Sequence, residues 1–440
     1  MLINKVQNNP FDNLPKINKK EAISILKKPI NKAKPSADYY KAVFHIAKFP
    51  CEETATVLLD FIKADCDQLE FRIAKRKAIE VLAHFDCKKA IPTIANFLKD
   101  DDFYLVETSI WSLGKLKCND MDIINQICLL LYKQFNNKRV VIQTLTYLGV
   151  KKEIAKIRSF LKDKEATNAI KGASIAALIR LAGEEDRIND LKNFLRVSNQ
   201  NDRHCAVQDI INSGQLSAIP FLIEAPISPS FKIQAIESLW GNDLICNANV
   251  DLIKSIDSVI IDDPHKINTL EIDKFEVGIN FLIDQLFHTD FNRCYQSMKE
   301  LKKYPLDEVL YNLNCNWDRA KLDYGAIYFF INTYKYVLEN GVFDKSLSQK
   351  VDLLLSDQWP NYMKFKSSAI QVYAYLNEAR FYSELIKFSD EKLTPFWKNR
   401  YTALLVAQKL KINISNDIIK LFLNDGNRFV RWKAMQTCSY

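Results

Sequence analysis

A short apolar helix pattern recurs along nearly the whole chain at a spacing of roughly 31 to 35 residues. A repeat of that length is one supersecondary unit, which cannot bury its apolar face without a neighbour. Ala78, Ile79, Val81 and Leu82 return as Ser109, Ile110, Ser112 and Leu113, then as Ser174, Ile175, Ala177 and Leu178, then as Ala235, Ile236, Ser238 and Leu239. Each copy pairs a helix opening near Ala90-Ile91-Pro92 or Ala218-Ile219-Pro220 with a second helix. Proline is tolerated in that first turn because its missing N–H would be unsatisfied there anyway. Small residues at the facing positions let the two helices approach closely.

The pattern predicts an all-α, HEAT-like helical-repeat solenoid, an α-α superhelix. Only 10 Gly and 13 Pro punctuate 440 residues, and no alternating strand pattern is bounded by turn signals, which argues against a sheet. The formal charge of +8 arises from Lys and Arg interleaved with 53 acidic residues. A phosphate-tracking surface needs a concentrated basic stripe, so nucleic acid is excluded as the expected partner. The one basic block, Arg72 to Lys77, fits a solvated helix face. No leader with a cleavage site and no apolar run of the ~18 residues that span a bilayer is present, which predicts a soluble, cytoplasmic protein without membrane insertion. Ten scattered cysteines fit reduced thiols. His84 with Cys87 is a lone ligand pair, so no metal is expected.

Four segments follow from the pattern: an arm at 1–35 with a short helix from about Lys19 to Leu26, repeats at 36–245, an irregular helical segment at 246–340, and C-terminal repeats at 341–440. Ser36 or Asp38 is placed to cap the first repeat helix. Regularity fails between Cys246 and Asp273, where Ile260 to Pro264 reads as a loop or short extended piece. Helices are then predicted from Phe275 to Leu301 and from Asp318 to Glu339. The repeat returns at Ser368 to Val372 and at Thr402 to Leu404, and closes with Phe429 to Met435.

No hydrolase elbow, phosphate loop, zinc helix motif or glycine-rich nucleotide fingerprint is present. Three polar clusters stand out instead. In the first, Arg203 and His204 reach an anionic ligand with Asp209 two turns on; alternatively Asp202 caps the helix and Arg203 pairs with Asp209 or the previous repeat. In the second, Trp317, Asp318 and Arg319 precede Asp323, Tyr324 and Tyr328, a spacing that on a continuous helix gathers carboxylate, guanidinium and phenol on adjoining faces. The bland reading makes Asp318 a helix N-terminal residue and the aromatics core. In the third, Arg293 either clamps a carboxylate or is solvated. Cys205, Cys294 and Cys315 lie beside these clusters; a transient thioether is one role, and a buried small hydrophobe the more ordinary one.

Four segments carry a resemblance: Phe11-Asp12-Asn13-Leu14 before Glu21-Ala22, Ser36 to Ala42, Arg203-His204-Cys205-Ala206-Val207-Gln208-Asp209, and Asn427 to Ala434. In their order and spacing the chain resembles the phycobilin lyases of the E/F type, in particular the single-chain phycoerythrobilin lyases of cyanobacteria. The Lys-, Asn- and Ile-rich composition fits the AT-rich genome of a small marine member of that group or its phage.

The resemblance implies an enzyme of phycobilisome assembly that joins phycoerythrobilin to a cysteine of a phycoerythrin α subunit through a thioether. Phycoerythrobilin is then substrate, and no separate cofactor is implied. Some similar proteins also isomerise the pigment to phycourobilin, and some look like chaperones without ligase activity. On this reading the 246–340 segment lines a bilin groove. Arg203, His204, Asp209, Arg293, Trp317, Arg319 and Tyr328 bind the pigment, while Asp323 or Asp318 protonates it or acts as counterion and Tyr324 assists by hydrogen bond.

Overall fold

The computed structural model describes residues 17–28, 38–133, 137–240, 252–270, 278–342, 344–356, 359–360 and 363–438. Among them every regular element is helical and none is a strand. The chain divides into two compact units: Asn9–Leu191 with Asn212–Gly214, and Lys192–Ile211 with Gln215–Tyr440. Of the stretch expected to be irregular, the described residues 252–270 belong to the second unit and hold helix Leu252–Ile261 and a short 3-10 turn, Pro264–Lys266, in place of the loop or extended piece expected from Ile260.

In the first unit, helix Lys19–Leu26 is capped by Asn18, whose Oδ1 accepts from the Glu21 N–H at 2.9 Å. Asp38 opens helix Asp38–Ile46, while Ser36 and the Phe11 to Leu14 segment lie outside the described residues. The second helices of the repeats, Leu69–His84, Phe103–Lys115, Lys138–Tyr147 and Asn168–Ala182, carry the recurring apolar positions, all buried. Close approach is visible at Gly114: a Cβ there would meet the Thr144 methyl at 3.0 Å. Arg72 reaches forward to Asp102 of the next repeat at 2.9 Å, and Arg139 donates to the Ala169 carbonyl at 2.7 Å. The Arg72 to Lys77 block is only partly a solvated face. Lys75 turns inward over the Phe71 and Phe97 rings, where its alkyl stem packs and its ammonium meets aromatic faces.

The second unit continues the pairing. Its second helices are Gln200–Ser213, Pro229–Leu239, Phe291–Leu301, Ala326–Glu339, Lys364–Leu376, Trp397–Lys409 and Arg428–Cys438. Ala235, Ile236 and Leu239 are buried as the repeat requires, whereas Ser238 is exposed. Two helices expected as continuous are broken. Phe275 to Leu301 resolves into Ile279–Gln285 and Phe291–Leu301, and Asp318 to Glu339 into Trp317–Ala320 and Ala326–Glu339. Helix Leu306–Cys315, unforeseen, supplies the first helix of that repeat.

Helix Leu252–Ile261 departs from the pattern. It lies against the second helices of the C-terminal repeats, which contribute polar side chains to it in turn. Gln371 donates to the Ile260 carbonyl (3.0 Å), Lys335 to the Ile261 carbonyl (2.6 Å) and Tyr401 to Asp257 (2.7 Å), while Lys433 pairs with Asp257 (2.8 Å). The helix ends at Asp262, which takes the left-handed conformation with φ of 48°.

Candidate functional site

Asp262 is the centre of a buried polar cluster in the second unit. The left-handed turn drives its carboxylate inward, where it is 3% exposed. Tyr295 donates to it at 2.7 Å and Tyr328 at 2.5 Å. Burial first, and the Asp262 charge second, hold both phenols well above their usual range, so each remains a donor. Lys232, whose ammonium donates to the Ile223 carbonyl (2.8 Å), and Lys335 supply the compensating positive charge. Asp262 was not singled out in the sequence. Its readable signal is the repeat-length interval between Tyr295 and Tyr328, two buried phenols on successive second helices that each need an acceptor.

On one side of Tyr328 opens a shallow cleft of about 40 Å³. Its floor is Ile233, Val259 and Ile260; Tyr328 and Phe396 add aromatic walls, and Lys364 and Lys398 line its side. The Lys364 ammonium sits 4.6 Å from the Phe291 ring centroid and 5.3 Å from that of Tyr328. Burial lowers its pKa, and the nearby Asp262 and Asp323 charges work against that shift.

Of the sequence-predicted residues, Tyr328 lines the cleft, and Asp323 and Tyr324 lie outside its lining. Asp323 stands in the break between helices, its Oδ1 accepting from the N–H groups of Gly325 (2.7 Å) and Ala326 (3.0 Å), while Oδ2 makes no hydrogen bond among the described residues. Tyr324, 58% exposed, packs edge-on to Trp359, which in turn packs on Phe365 beside Lys364.

The others are placed differently, because residues 317–324 do not form one helix. Asp318 is exposed and paired with Lys321 at 2.6 Å, which lowers its pKa. Arg319 stacks on Phe287 at 3.8 Å and pairs with Asp284 at 2.5 Å. Trp317 is buried edge-on to Tyr334. Arg293 is exposed. Arg203 is fully buried and pairs with neither Asp209 nor the previous repeat: it bonds Asp290, the N-cap of helix Phe291–Leu301, and the Val197 and Ser198 carbonyls. The residue after Asp290 is Phe291, whose ring faces the Lys364 ammonium. Asp209 is buried, and His204 stacks on Phe231 at 4.6 Å with its pKa lowered by burial and then by Arg203. Of the cysteines, Cys294 is buried and its thiol pushed up to about 12, Cys205 is half-buried, and Cys315 is exposed, which corrects the expectation of a core role for the last.

No family model matches the sequence. The chain is 31% identical to the bilin biosynthesis protein CpeY of Synechococcus sp. (strain WH8020), over 90% of this chain and 96% of that protein. The chain belongs to the E/F-type phycobilin lyases. A phycocyanin operon protein Y of Pseudanabaena tenuis (strain PCC 7409) is 28% identical to the lyase over 94% of its length and 96% of that protein. The phycocyanobilin lyase subunit alpha of Nostoc sp. (strain PCC 7120) is 25% identical over 57% of it and 93% of that subunit.

The ammonium pair flanking Asp262 gives the lyase a pH signature. Burial drives Lys232 and Lys335 down to about 8, with Asp262 restoring part of the loss for Lys232, and Glu339 and then Asp262 for Lys335. Their unfolded values lie near 10.4. Between pH 8 and 10 the unfolded chain therefore binds more protons than the folded one, and stability rises with pH. Cys294, pushed up to about 12 in the fold against about 8.5 when unfolded, offsets part of this rise above pH 8.5, and Tyr295 and Tyr328 act in the same opposing sense above pH 10, where unfolded phenols ionise first. The urea midpoint is expected to climb from pH 7.5 to 9.5, and Lys335→Met to flatten that climb. A wild-type midpoint that falls across the window contradicts the assignment.

Proposed function

We propose that the protein attaches phycoerythrobilin to a cysteine of the phycoerythrin α subunit in the cytoplasm, with the bilin as substrate and no separate cofactor. The observation carrying this reading is the Tyr328 cleft: an apolar floor with aromatic walls and two cations suits the propionate-bearing edge of a conjugated ligand whose remainder lies outside the cleft. The near full-length relationship to a bilin biosynthesis protein supports it further.

The reaction needs no oxidant or reductant. The acceptor thiol adds across the ethylidene double bond of ring A: sulfur bonds the exocyclic carbon and a proton is delivered to the ring carbon. Protonation of the tetrapyrrole makes that double bond electrophilic, and the free Oδ2 of Asp323 is the group we assign to hold or deliver the proton. Tyr324, exposed beside Trp359, assists by hydrogen bond. The larger contribution is orientation, since a fixed ring exposes one face to the incoming sulfur.

Coexpression with the phycoerythrin α subunit and a source of phycoerythrobilin tests the proposal. Zinc-enhanced fluorescence is expected on the denatured α subunit. More soluble subunit without a covalent pigment would make the protein a chaperone instead. An adduct absorbing at shorter wavelength than bound phycoerythrobilin would make it a lyase-isomerase, because moving a double bond shortens the conjugated path.

A further inference from the structure

Lys364 and Lys398 share three properties that folding alone does not account for. Both are half-buried, and burial lowers the pKa of both. Neither ammonium makes a hydrogen bond or an ion pair among the described residues. Their nearest partners are aromatic rings: Phe291 and Tyr328 for Lys364, Phe396 (5.3 Å) and Trp397 (5.9 Å) for Lys398. Other lysines of this unit that burial shifts are satisfied in the ordinary way, as Lys232 is by the Ile223 carbonyl and Lys299 by the Ile267 carbonyl (2.6 Å). An ammonium partly stripped of water and given no acceptor is costly to keep.

Their position adds to that cost. Lys364 opens helix Lys364–Leu376 and Lys398 is the second residue of helix Trp397–Lys409. A cation in the first turn opposes the helix dipole, whose positive end an anion would satisfy. Glu237 does not relieve Lys398. Burial raises the pKa of Glu237, Trp397 hydrogen-bonds it, and it tempers the Lys398 shift without closing an ion pair.

The two lysines occupy equivalent places on adjacent repeats, and packed helices lie about 8–10 Å apart. Both face the same apolar cleft. We infer that Lys364 and Lys398 bind the two carboxylate arms of one conjugated ligand, one arm per repeat. This rests on the bilin reading above and assigns the propionate contacts to lysines rather than to Arg203, Arg293 or Arg319. The pairing fixes which way round the pigment lies, with Lys364 holding its arm beside Tyr328 and Asp323.

Absorbance titration of the purified protein with phycoerythrobilin and with its propionate dimethyl ester tests this without any substitution. The free acid is expected to bind about a hundred-fold more tightly than the diester, about ten-fold for each arm, a factor that corresponds to about 1.4 kcal/mol per arm. Lys364→Met and Lys398→Met should each weaken free-acid binding by about that factor and leave the diester unaffected, and the double variant should bind both alike. Equal wild-type affinity for acid and diester overturns the inference while the bilin reading stands, as does a preference that survives in the double variant. A wild-type protein that retains neither compound removes the bilin reading and the inference together.

Discussion

Arg400→Ala is expected to destabilise the C-terminal repeats by about 3–5 kcal/mol, the range for removing one partner of a buried ion pair. The Arg400 and Asp425 side chains are 3% and 0% exposed. The guanidinium is bidentate on Asp425 at 2.5 and 2.8 Å and also donates to the Thr394 carbonyl at 2.7 Å. Truncation strands a carboxylate whose remaining donor at Oδ1 is the Asn427 N–H. It also frees the Thr394 carbonyl. Because repeats are stabilised mainly by their neighbours, the loss should appear as early opening of the last two helix pairs. Hydrogen exchange over 397–438 should rise more than over 69–115. Arg400→Met with Asp425→Leu should recover much of the loss, since no charge is then left buried alone. A single variant as stable as the wild type, or uniform exchange along the chain, would contradict this account.

The same pair illustrates what a repeat sequence makes legible. Positions set by the local period, such as Ser109 to Leu113 and Ser174 to Leu178, were read in their buried register because each depends on a helix face that recurs within one repeat. Partners set by the stacking were not. Arg203 looked free to reach a ligand because its partner, Asp290, is 87 residues away. Gln371 meets the Ile260 carbonyl across 111 residues, and nothing near Ile260 announces a helix held against later repeats. Asp262 was hidden for the same reason: followed by Asp263 and Pro264, it reads as an ordinary loop, and only its left-handed backbone turns the carboxylate inward. Asp323 and Tyr324 stand out in the sequence by residue type alone. The interruption at 321–325 that separates them from Asp318 and Arg319 does not, since Leu322 and Tyr324 keep the segment apolar enough to pass for helix.

That interruption makes Asp323→Asn an informative test of the proposed chemistry. Oδ1 of Asp323 caps helix Ala326–Glu339 through two backbone N–H groups. Asparagine caps a helix about as well as aspartate, so the fold and the walls of the cleft should persist. What the amide lacks is an exchangeable acidic proton and a negative charge beside the tetrapyrrole. General acid catalysis typically contributes about 10²–10⁴-fold, so adduct formation on the α subunit should fall by at least about a hundred-fold. The purified variant should still show bilin absorbance, because Tyr328, Phe396 and the two lysines are unchanged. Asp318→Asn provides the contrast: its carboxylate is 86% exposed and meets only Lys321 on the surface, so ligation should be essentially unaltered. Removing a positive neighbour should separate the two roles open to Asp323. If it acts as a proton donor, Lys364→Met should shift the pH profile of adduct formation upward; a fixed counterion would give lower yield with no shift. An Asp323→Asn protein that forms adduct at the wild-type rate would leave the residue as a helix cap and move the search for the acid to the Asp262 and Tyr328 pair beneath the cleft.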